Sequence, residues 1–389
     1  MRVATIGFTL ALVLAACGTA VSDLGTSEAR AAAAQAPITG PQQFAAKDFV
    51  TTQVARLDAP WAMTVTPRGG FVVTEKAGTM KYVMQGKTPA ATFVLPVAGV
   101  PKVDSAGQGG LMDVVFRPGT DMLYFSYSEA GAGGKGVVLA RARFVQDAAT
   151  GPRLDGVETL FRAPKVEGNG HYSGRIAFAP DGHLFFTVGE RQKFDPAQDP
   201  KLTLGKVLRL TADGRPAPGN PLAAKGFDPA VWSYGHRNLL GIAFDARGNL
   251  WEQEMGPKGG DELNLILPGR NYGYPIVSNG DHYDGRVIPD HPTRPDLEAP
   301  RASWNPVISP AGLMIYSGTL FPAWRGNAFI GGLSSKALVR VALNGTTARE
   351  AARYDMGARI REVEQGQDGA VYVLEDGSGG RLLRLTPKG

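Results

Sequence analysis

The chain repeats a simple pattern in which a short apolar run, a turn of Gly, Asp or Pro, and a second apolar run follow one another. In one copy the apolar residues 176–178 and 184–186 flank the turn Pro180-Asp181-Gly182. Asp-Gly and Gly-Gly pairs provide the positive φ angles that tight hairpin turns require. Each copy therefore predicts a β-hairpin. The other copies pair residues 61–65 with 71–73, 111–116 with 123–127, 241–244 with 250–251, 312–316 with 328–330, and the stretch from Val363 with 371–374.

About six hairpin units of roughly 50–70 residues each follow one another, a period typical of repeat arrays and propellers. They predict an all-β fold, a six-bladed β-propeller with four-stranded antiparallel blades, because radial repetition protects the strand edges. A β-sandwich is the structural alternative, but a sandwich rarely needs so many similar hairpins.

Composition agrees with a large globular domain that has many turns. The chain has 389 residues, of which 43% are hydrophobic and 20% charged, with 51 Gly and 28 Pro. This content allows a sizeable core and excludes a disordered chain. Lys and Arg exceed Asp and Glu by 41 − 36 = 5 charges and form no run. The surface is therefore mildly basic, and we expect no nucleic acid partner.

Residues 1–16 have the pattern of an export signal. They carry one charge, at Arg2, then an apolar run from Ile6 to Leu14, and they end in Leu14-Ala15-Ala16 directly before Cys17. A signal peptide has this order, and the apolar run is too short for a folded-domain helix. We therefore expect an exported protein.

Cys17 is the only cysteine of the chain, so the mature protein cannot have an internal disulfide. Its surroundings resemble the lipobox of bacterial lipoproteins, in which the cysteine receives lipid and becomes the first residue. The alternative is an ordinary secretory signal followed by an incidental buried cysteine. Lipidation implies a periplasmic protein anchored to a membrane, and Gly18 after the cysteine favours the outer membrane.

Residues 17–46 are rich in Ala, Ser, Gln and Thr and show no strand pattern. We expect them to form a flexible tether. The propeller domain is then predicted to span residues 47–389, with its first strand near Phe49.

Polar motifs are concentrated in the connections between the hairpins, where a rigid all-β scaffold usually carries its binding residues. His171 lies in the segment 168–175, at a strand entrance among small residues that leave it accessible. A neutral imidazole can accept a proton near neutral pH. A lone His is more often a surface or hydrogen-bonded structural residue, so His171 by itself does not establish catalysis.

Two further loop motifs offer binding groups. Arg237-Asn238 combines a cation with an amide, which suits quinone or carboxylate oxygens, although a turn with a buried ion pair explains it equally well. In the segment 254–262, Gly and Pro bracket a stretch whose backbone carbonyls can turn inward beside carboxylates. Ca²⁺ takes such ligands, and a Gly-rich turn flanked by solvated acids is the alternative.

Lys336, Arg359 and Arg361 are cations in the last part of the chain. The i, i+2 spacing of the two arginines places them on one face of a strand. Together with the lysine they would suit an anion that has several carboxylates. A solvated charged face is the simpler explanation for the arginine pair alone.

In their order along the chain, eight motifs resemble those of the soluble sugar dehydrogenases that depend on pyrroloquinoline quinone (PQQ). These enzymes form the glucose/sorbosone dehydrogenase family, and the resemblance is strongest to its aldose sugar dehydrogenase branch. It extends from about Pro60-Trp61 to Leu385. The motifs are Gly107 through Leu111, His171 through Arg175, Gly235 through Asn238, Glu254 through Glu262, Asn271 through Pro275, Ser309 through Gly312, Lys336, and Arg359 through Glu362.

The resemblance implies a six-bladed propeller that holds PQQ near its axis and oxidises the C1 hydroxyl of aldose sugars to lactones. His171 matches the general base that takes the hydroxyl proton while hydride passes from C1 to C5 of the quinone. Glu190 matches an acid near that histidine, in position to orient its ring as carboxylates do in catalytic triads. The electron acceptor that regenerates the cofactor is not identified by the sequence.

The resemblance also implies the cofactor contacts. Gln108, Arg237 and Asn238 match residues on the quinone, where Arg237 is placed to stabilise developing negative charge. The positive groups around the cofactor match Lys336, Arg359 and Arg361.

Two Ca²⁺ sites follow from the same resemblance. The backbone carbonyls of Gly256 and Pro257 match ligands of the active-site ion, which binds the quinone and polarises its C5 carbonyl. Glu262 and Tyr272 match a second, structural site in this branch.

Departures from the family pattern limit what the resemblance says about the substrate. Gly170 stands where the glucose-oxidising relatives have an acid, and Trp304 is displaced by about one position from an aromatic that covers their cofactor. The long insertions of the dimeric glucose enzymes are absent, so we expect a monomer with an open cleft.

Two alternative functions are compatible with a propeller. A Ca²⁺-dependent lactonase or esterase would use water instead of a redox cofactor, but it needs an acid-rich central metal site. A non-enzymatic scaffold gives no reason for His171, Arg237-Asn238 and Gly256-Pro257 to occur together.

Overall fold

The computed structural model describes Met1 and residues 35–40, 42–86 and 91–389. These residues form six sheets arranged as the blades of a propeller, which confirms the predicted fold. From the axis outward, blade 1 contains β3 (Pro60–Val65), β4 (Phe71–Glu75), β5 (Thr79–Met84) and β6 (Phe93–Pro96); blade 2 contains β7 (Leu111–Phe116), β8 (Met122–Gly131), β9 (Gly134–Asp147) and β10 (Gly151–Arg162); and blade 3 contains β11 (Ser173–Phe178), β12 (Leu184–Val188), β13 (Lys206–Leu210) and β14 (Val231–Tyr234).

The second half of the chain repeats this arrangement. Blade 4 contains β15 (Leu239–Phe244), β16 (Leu250–Glu254), β18 (Asp261–Leu265), β20 (Ala302–Asn305) and an added edge strand β1 (Ile38–Thr39); blade 5 contains β21 (Pro310–Ile315), β22 (Ala328–Gly332), β23 (Ala337–Asn344) and β24 (Thr347–Asp355); and blade 6 contains β25 (Ile360–Gln365), β26 (Val371–Glu375), β27 (Ser378–Pro387) and β2 (Phe49–Asp58). A two-stranded ribbon joins β17 (Lys258–Gly259) to β19 (Gly280–Asp281).

The innermost strands pack side by side around the axis, each against the innermost strand of the next blade, and β25 returns to β3. Strands in the middle of a blade are apolar on both faces because neighbouring blades cover both sides. In β26, Val371 and Val373 enter one core cluster while Tyr372 and Leu374 enter another. The continuous apolar runs seen in the sequence therefore belong to strands buried on both sides.

Blade 6 closes the ring by joining the two ends of the propeller. The N-terminal strand β2 pairs antiparallel with the C-terminal strand β27, from Phe49 opposite Pro387 to Asp58 opposite Ser378. Phe49, Val54 and Leu57 are buried by this pairing. The ring is thus closed by hydrogen bonds between strands from opposite ends of the chain.

The predicted tether is bound to the propeller at two points; one is the hydrogen bond from the Ala45 N–H to the Arg353 carbonyl at 2.7 Å. Within the stretch 17–46, Ile38 and Thr39 pair in parallel with Trp304 and Asn305 on the outer edge of blade 4. Two residues are too few to show a strand pattern, and the exposed edge of β20 supplies the partner. The predicted signal peptide and Cys17 lie outside the described residues.

Helical structure in the described residues is limited to short 3-10 turns at Asp195–Ala197, Ala223–Lys225, His291–Thr293 and Pro322–Trp324. None of the helices in the described part of the chain has the length and apolar character needed to cross a membrane.

Arg175, a buried residue of β11, connects five blades at the axis. Its Nη1 donates to Asp113 of blade 2 at 3.0 Å and to Glu362 of blade 6, and its Nε donates to the Leu240 carbonyl of blade 4 at 2.7 Å. The guanidinium lies 4.2 Å from the centre of the Trp61 ring in blade 1. These contacts fix the blades relative to one another directly beneath the cavity described next.

Candidate active site

A cavity of about 470 Å³ opens at the axis of the propeller. All six blades contribute to its wall, because the loops that enter or follow the inner strands meet at this end. The contributions in blade order include Trp61, Met112, Ser173, Leu240, Leu333 and Arg361.

His171 and Glu190 form a buried pair behind the wall of this cavity: neither lines it, but Tyr172 and Gln108, which contact His171 through the chain and a hydrogen bond, do. The Nδ1 atom of His171 contacts a carboxylate oxygen of Glu190. Glu190 is fully buried and only 6% of His171 is exposed, so the expectation that small neighbours leave His171 accessible was wrong; the segment that carries Glu190 packs against it. With Nδ1–H donated to the carboxylate, Nε2 is the ring nitrogen that can accept a proton.

The electrostatics of the pair favour a neutral imidazole beside an ionised carboxylate. Burial lowers the pKa of His171 below its ordinary value, the bond to Glu190 partly offsets this, and the charge of Arg237 lowers it further. Burial opposes ionisation of Glu190, but the bonds from His171 and the Phe194 amide hold the pKa of its carboxyl below the usual range. His171 can therefore act as a base at neutral pH.

The loop around Glu190 fixes the carboxylate from the other side. Its second oxygen accepts the backbone N–H groups of Lys193 and Phe194, the latter at 2.7 Å. Arg191, Gln192 and Phe194 all have positive φ angles between 59° and 64°. Three strained residues in one loop indicate that the surrounding structure imposes this geometry.

Gln108 and Asn238, both predicted cofactor contacts, lie in the wall of the cavity. The side-chain oxygen of Gln108 accepts the His171 backbone N–H at 2.8 Å. Ser173 lies between the two sides of the wall, donating to Asn238 at 3.4 Å and accepting the Leu239 N–H at 2.9 Å. The amides of Gln108 and Asn238 are thus held next to the histidine.

Arg237 is not in the wall of the axial cavity; it lines a small cavity with Glu262 and Tyr272 and bonds to backbone carbonyls. Its Nη1 donates to the carbonyls of Met255 and Gly256 at 2.9 and 2.7 Å. Its buried Nε has no hydrogen-bond partner among the described residues. A ligand oxygen in this region would find a donor there.

The two arginines predicted to share a strand face both line the cavity. Arg359 and Arg361 each bond to Asp376, at 2.7 and 2.8 Å. Burial alone would raise the pKa of Asp376, but the two guanidinium groups hold it below its usual range. Lys76 also lines the wall, so three cations face one acid.

Lys336 lies elsewhere. It is exposed, has a φ of 51° and is not part of the cavity wall. Its predicted contact with the cofactor stays a prediction.

The cavity fits PQQ in size and chemistry. Its volume lies in the range typical of small-molecule sites. The cations Lys76, Arg359 and Arg361 suit a ligand with several carboxylates, and the largely buried Trp61 adds an aromatic side chain to the wall.

One predicted carbonyl ligand of an active-site Ca²⁺ is already engaged. The Gly256 carbonyl accepts a hydrogen bond from the Arg237 guanidinium at 2.7 Å, and Gly256 and Pro257 both line a cavity of about 600 Å³ that shares Met255 and Ser309 with the axial one. Backbone carbonyls are ligands that Ca²⁺ uses, but at Gly256 the ion would have to displace the guanidinium.

Glu262 and Tyr272 meet at a small cavity of about 10 Å³, which has room for one water or ion. Glu254 lines the same space, and Glu252, Glu254 and His236 place potential ligand atoms within 4.8 Å of one another. Burial and the neighbouring Glu254 raise the pKa of Glu252 well above its ordinary value. Carboxylates buried so close together fit a bound cation.

The Tyr272 hydroxyl itself is already engaged. It donates to the Leu265 carbonyl at 2.5 Å and accepts the Leu267 N–H at 2.8 Å. Any contribution of Tyr272 to a cation would therefore come from its backbone carbonyl.

Asp261, which the sequence did not single out, organises the loops at the edge of the site. Its buried carboxylate accepts the N–H groups of Gly256, Ile308 and Ser309 at 3.0, 2.8 and 2.7 Å. Burial raises its pKa to about 7 despite these bonds. The signal for Asp261 that the sequence offered was an acid within a Gly-rich motif.

The two departures in the sequence have structural counterparts. Trp304 is fully buried and its indole N–H donates to Glu350 at 2.6 Å, so it does not cover the cavity. A side chain at Gly170 would meet the Gln192 side chain, 2.5 Å from the position of its Cβ.

The propeller fold and this site define an oxidoreductase of the sugar dehydrogenase class. The chain belongs to the glucose/sorbosone dehydrogenase family, whose model matches residues 57–384. Family membership supports the dehydrogenase prediction over the hydrolase and scaffold alternatives.

Individual relatives of known sequence and structure support the same family. The aldose sugar dehydrogenase YliI of Escherichia coli is 36% identical over 345 residues, which cover 86% of this chain and 91% of that protein. The apo-form structure of the soluble aldose sugar dehydrogenase of E. coli has 34% identity and a TM-score of 0.82, covering 87% of this chain and 100% of that one. The PQQ-bound aldose sugar dehydrogenase of Streptomyces coelicolor has 28% identity and a TM-score of 0.70, covering 89% and 100%.

Proposed function

We propose that this protein oxidises the C1 hydroxyl of aldose sugars to lactones, with Ca²⁺-bound PQQ as the hydride acceptor. The observation that carries the proposal is the His171–Glu190 pair beside an axial cavity with a cationic wall. An imidazole base and a site for an anionic ligand are the two parts that such an oxidation needs.

His171 acts as the general base. Its Nε2 takes the proton of the C1 hydroxyl, and Glu190 holds the ring through Nδ1–H and stabilises the imidazolium that forms. When bound, PQQ would supply the acceptor for the hydride that leaves C1, so the sugar loses two electrons and two hydrogens in total.

The residues around the cavity hold the cofactor. Gln108 and Asn238 offer amide groups to the quinone, and Arg237 supplies positive charge where negative charge develops. The carboxylates of the cofactor would pair with Arg359, Arg361 and Lys76. The carbonyls of Gly256 and Pro257 would hold the Ca²⁺ ion, and Glu262 with the Tyr272 carbonyl would hold a second, structural ion.

The substrate range follows from the wall of the site. Trp304 is buried and donates to Glu350, so it leaves the axial cavity uncovered. An open cleft makes few contacts to distant hydroxyls, so several pentoses and hexoses should react with kcat/KM values within about two orders of magnitude. The electron acceptor is a separate, unidentified partner, and the protein acts as a monomer.

Reconstitution tests the proposal. Purified protein is supplied with PQQ and Ca²⁺, glucose is added with an acceptor dye, and the absorbance of the cofactor and the dye is followed. Turnover should require both additions, with Mg²⁺ in place of Ca²⁺ as the matched control. Equal turnover in excess chelator without added PQQ would contradict the proposal.

We also propose that the protein is exported to the periplasm and anchored to the outer membrane through a lipid on Cys17. The support is the signal pattern of residues 1–16 and the lipobox that ends at the single cysteine.

A further inference from the structure

The two ends of the propeller differ in the residues they expose. The axial cavity is lined at the starts of the inner strands and just after the second strands, for example by Trp61 and Lys76 in blade 1. The turns that join each inner strand to the second strand of its blade therefore lie at the opposite end. We call this end the turn face, and its six turns are residues 66–70, 117–121, 179–183, 245–249, 316–327 and 366–370.

Four of these turns, in four different blades, carry an exposed arginine. They are Arg68, Arg117, Arg247 and Arg325. Within the described part of the chain, none of the four guanidinium groups forms a hydrogen bond or an ion pair. A guanidinium binds phosphate oxygens through several N–H groups at once. The turn face therefore offers four free donors to an anionic partner.

The acids of the turn face are mostly engaged. Asp181 and Asp368 each pair with an arginine from a strand of the same blade, at 3.3 and 2.7 Å. The Asp245 carboxylate accepts backbone N–H groups of its own turn at 2.9 Å. Asp121 is the remaining acid of the six turns, and it is exposed. The free side chains of the turn face are thus four cations and one acid.

Exposed apolar side chains lie at the same end, where β5 ends and β6 and β2 begin. Met84 and Phe93, which are paired across β5 and β6, are 43% and 57% exposed, and Val50 of β2 is 47% exposed. Arg68 and Met84 line one cavity between blades 1 and 6, with Tyr372 of blade 6 in the same wall. Exposed apolar side chains next to free cations are typical of surfaces that bind at a membrane interface.

The N-terminal part of the chain also reaches the propeller from this side. Strand β2 begins at Phe49, opposite Pro387, and this pair lies at the turn face. Strand β1 is parallel to β20, which runs away from the turn face, so residues 35–38 approach blade 4 from the turn-face side. A membrane that holds Cys17 would therefore hold the propeller from the side of the free arginines.

We infer that the turn face is a docking surface for an anionic phospholipid membrane, so that the axial cavity is directed away from the lipid. The four arginines contact phosphate groups, while Val50, Met84 and Phe93 enter the interface. The inference extends the proposed lipid anchor, which would keep a weak surface at high local concentration near the membrane. At physiological ionic strength, screening leaves the surface too weak to retain the protein without the lipid.

Vesicle sedimentation tests the surface in the absence of the lipid. The protein is the mature chain, residues 17–389, with Cys17→Ser, and the vesicles are phosphatidylcholine with or without phosphatidylglycerol. At low salt the protein should bind only the vesicles that contain phosphatidylglycerol. Changing the four arginines of the turn face to Gln should weaken this binding roughly 10²–10³-fold, because each cation near an anionic surface strengthens binding about fivefold.

A charge-matched variant separates the turn face from net charge. It changes four exposed lysines in connections at the cavity end to Gln, and these are Lys102, Lys193, Lys258 and Lys336. Because this variant has the same net charge as the arginine variant, any general attraction to the vesicles falls equally in both. The lysine variant should lose less than about tenfold in vesicle affinity. Equal losses in the two variants would overturn the inference.

Phe93→Ser tests the apolar part of the surface and should weaken vesicle binding about tenfold. Tyr283→Ser, at an aromatic residue that is exposed at the cavity end, is the matched control and should leave binding unchanged. Equally tight binding to phosphatidylcholine alone would overturn the inference. So would self-association in sedimentation equilibrium that Phe93→Ser abolishes, because the surface would then bind a second copy of the chain.

The same experiment is independent of the proposed anchor, because the protein used carries no lipid. If mass spectrometry finds no lipid on the wild-type N-terminus but the arginine and lysine variants differ as expected, the docking surface stands and the anchor proposal fails. If the lipid is present but the two variants bind vesicles equally, the anchor stands and the docking surface is refuted.

Discussion

His171 adopts a φ of 48°, and Ser173, two residues later, has a φ of 59°. Such angles cost of order 1–3 kcal/mol for residues other than glycine, so the neighbours must hold them in place. Gln108 fixes the His171 N–H, and Gly189 allows the strand to pass close, since a Cβ there would lie 2.1 Å from the His171 carbonyl oxygen. The orientation of the imidazole is therefore imposed by residues from two blades.

Replacing the base tests its role directly. His171→Ala should lower kcat by roughly 10²–10⁴-fold, because a positioned general base contributes that much. PQQ binding, measured by spectral titration, should persist because the cationic wall is intact. Near-normal turnover would place the base elsewhere, with Glu190 the next candidate.

The pH profile tests the Glu190 contact. A base must be unprotonated, so kcat/KM should rise with pH through the lowered pKa of His171 and level off above it. Glu190→Gln removes the carboxylate that partly raises this pKa, so the rising limb should move to lower pH. Activity on the plateau should fall by about 10²-fold or more as ring orientation is lost. If activity falls but the rising limb of the kcat/KM profile stays at the same pH, Glu190 has a structural role only.

Sequence reasoning found the residues that belong to compact motifs and missed those that the fold brings in from afar. The i, i+2 spacing of Arg359 and Arg361 predicted that they lie together, and both line the cavity, although Arg359 precedes β25 and Arg361 lies at a break in its register. Asp376 and Lys76 could not be predicted as cavity residues, because each belongs to a different hairpin whose position depends on closure of the ring. Lys336 is exposed and outside the cavity wall, so its predicted contact with the cofactor stays a prediction.

At the scale of elements, inner strands and hairpin turns could be predicted because their signals are local. Gly182 and Gly369 have φ angles of 84° and 76° in turns where the sequence shows Asp-Gly. The pairing of β2 with β27 could not be predicted from the sequence, because hydrophobic alternation does not indicate which distant strand is the partner. The short strand β1 could not be predicted for a related reason, because it forms only by pairing with the edge of β20.

Truncation tests the closing strand. A chain beginning at Lys47 should keep a cooperative thermal transition, because all of β2 remains. A chain beginning at Ala59 loses Phe49, Val54 and Leu57, each worth roughly 1.5–3 kcal/mol of burial, a large part of a typical domain's 5–15 kcal/mol. The shorter chain should aggregate, or its melting temperature measured by circular dichroism should be far lower. Equal melting temperatures for the two chains would contradict the role of β2.

At the scale of the whole molecule, the axis concentrates buried charge. Burial raises the pKa of Glu362 to about 7, although its contact with Arg175 partly offsets this. Burial raises the pKa of Glu364 in the same direction, to about 8. The stability of the ring should therefore depend on pH near neutrality.

Between pH 4.5 and 7 the folded chain keeps a proton on Glu362 that the unfolded chain releases. The free energy of unfolding should therefore fall as pH rises through this range. Glu362→Gln should make this slope less steep by up to about 1.4 kcal/mol per pH unit, with Glu364 leaving a residual slope. Denaturant unfolding at pH 5, 6, 7 and 8 measures it, and identical slopes in both proteins would refute the assignment.

The location of the whole molecule depends on Cys17. Cys17→Ser should move the protein from the membrane fraction to the soluble periplasmic fraction, while the purified propeller keeps its thermal stability. Mass spectrometry of the mature N-terminus provides the second measurement. A chain without lipid that fractionates with the membrane in both forms would contradict the anchoring proposal.

The closure of blade 6 also determines when this protein can finish folding. Strand β2 begins at Phe49 and its partner β27 ends at Pro387, so blade 6 cannot form until the five other blades have been synthesised. Contacts between residues so far apart in sequence form slowly, because the loop entropy is lost before the contacts form. A ring that remains open during synthesis stays an unfolded chain for longer, which is the state that the proposed export through a channel for unfolded polypeptides would require.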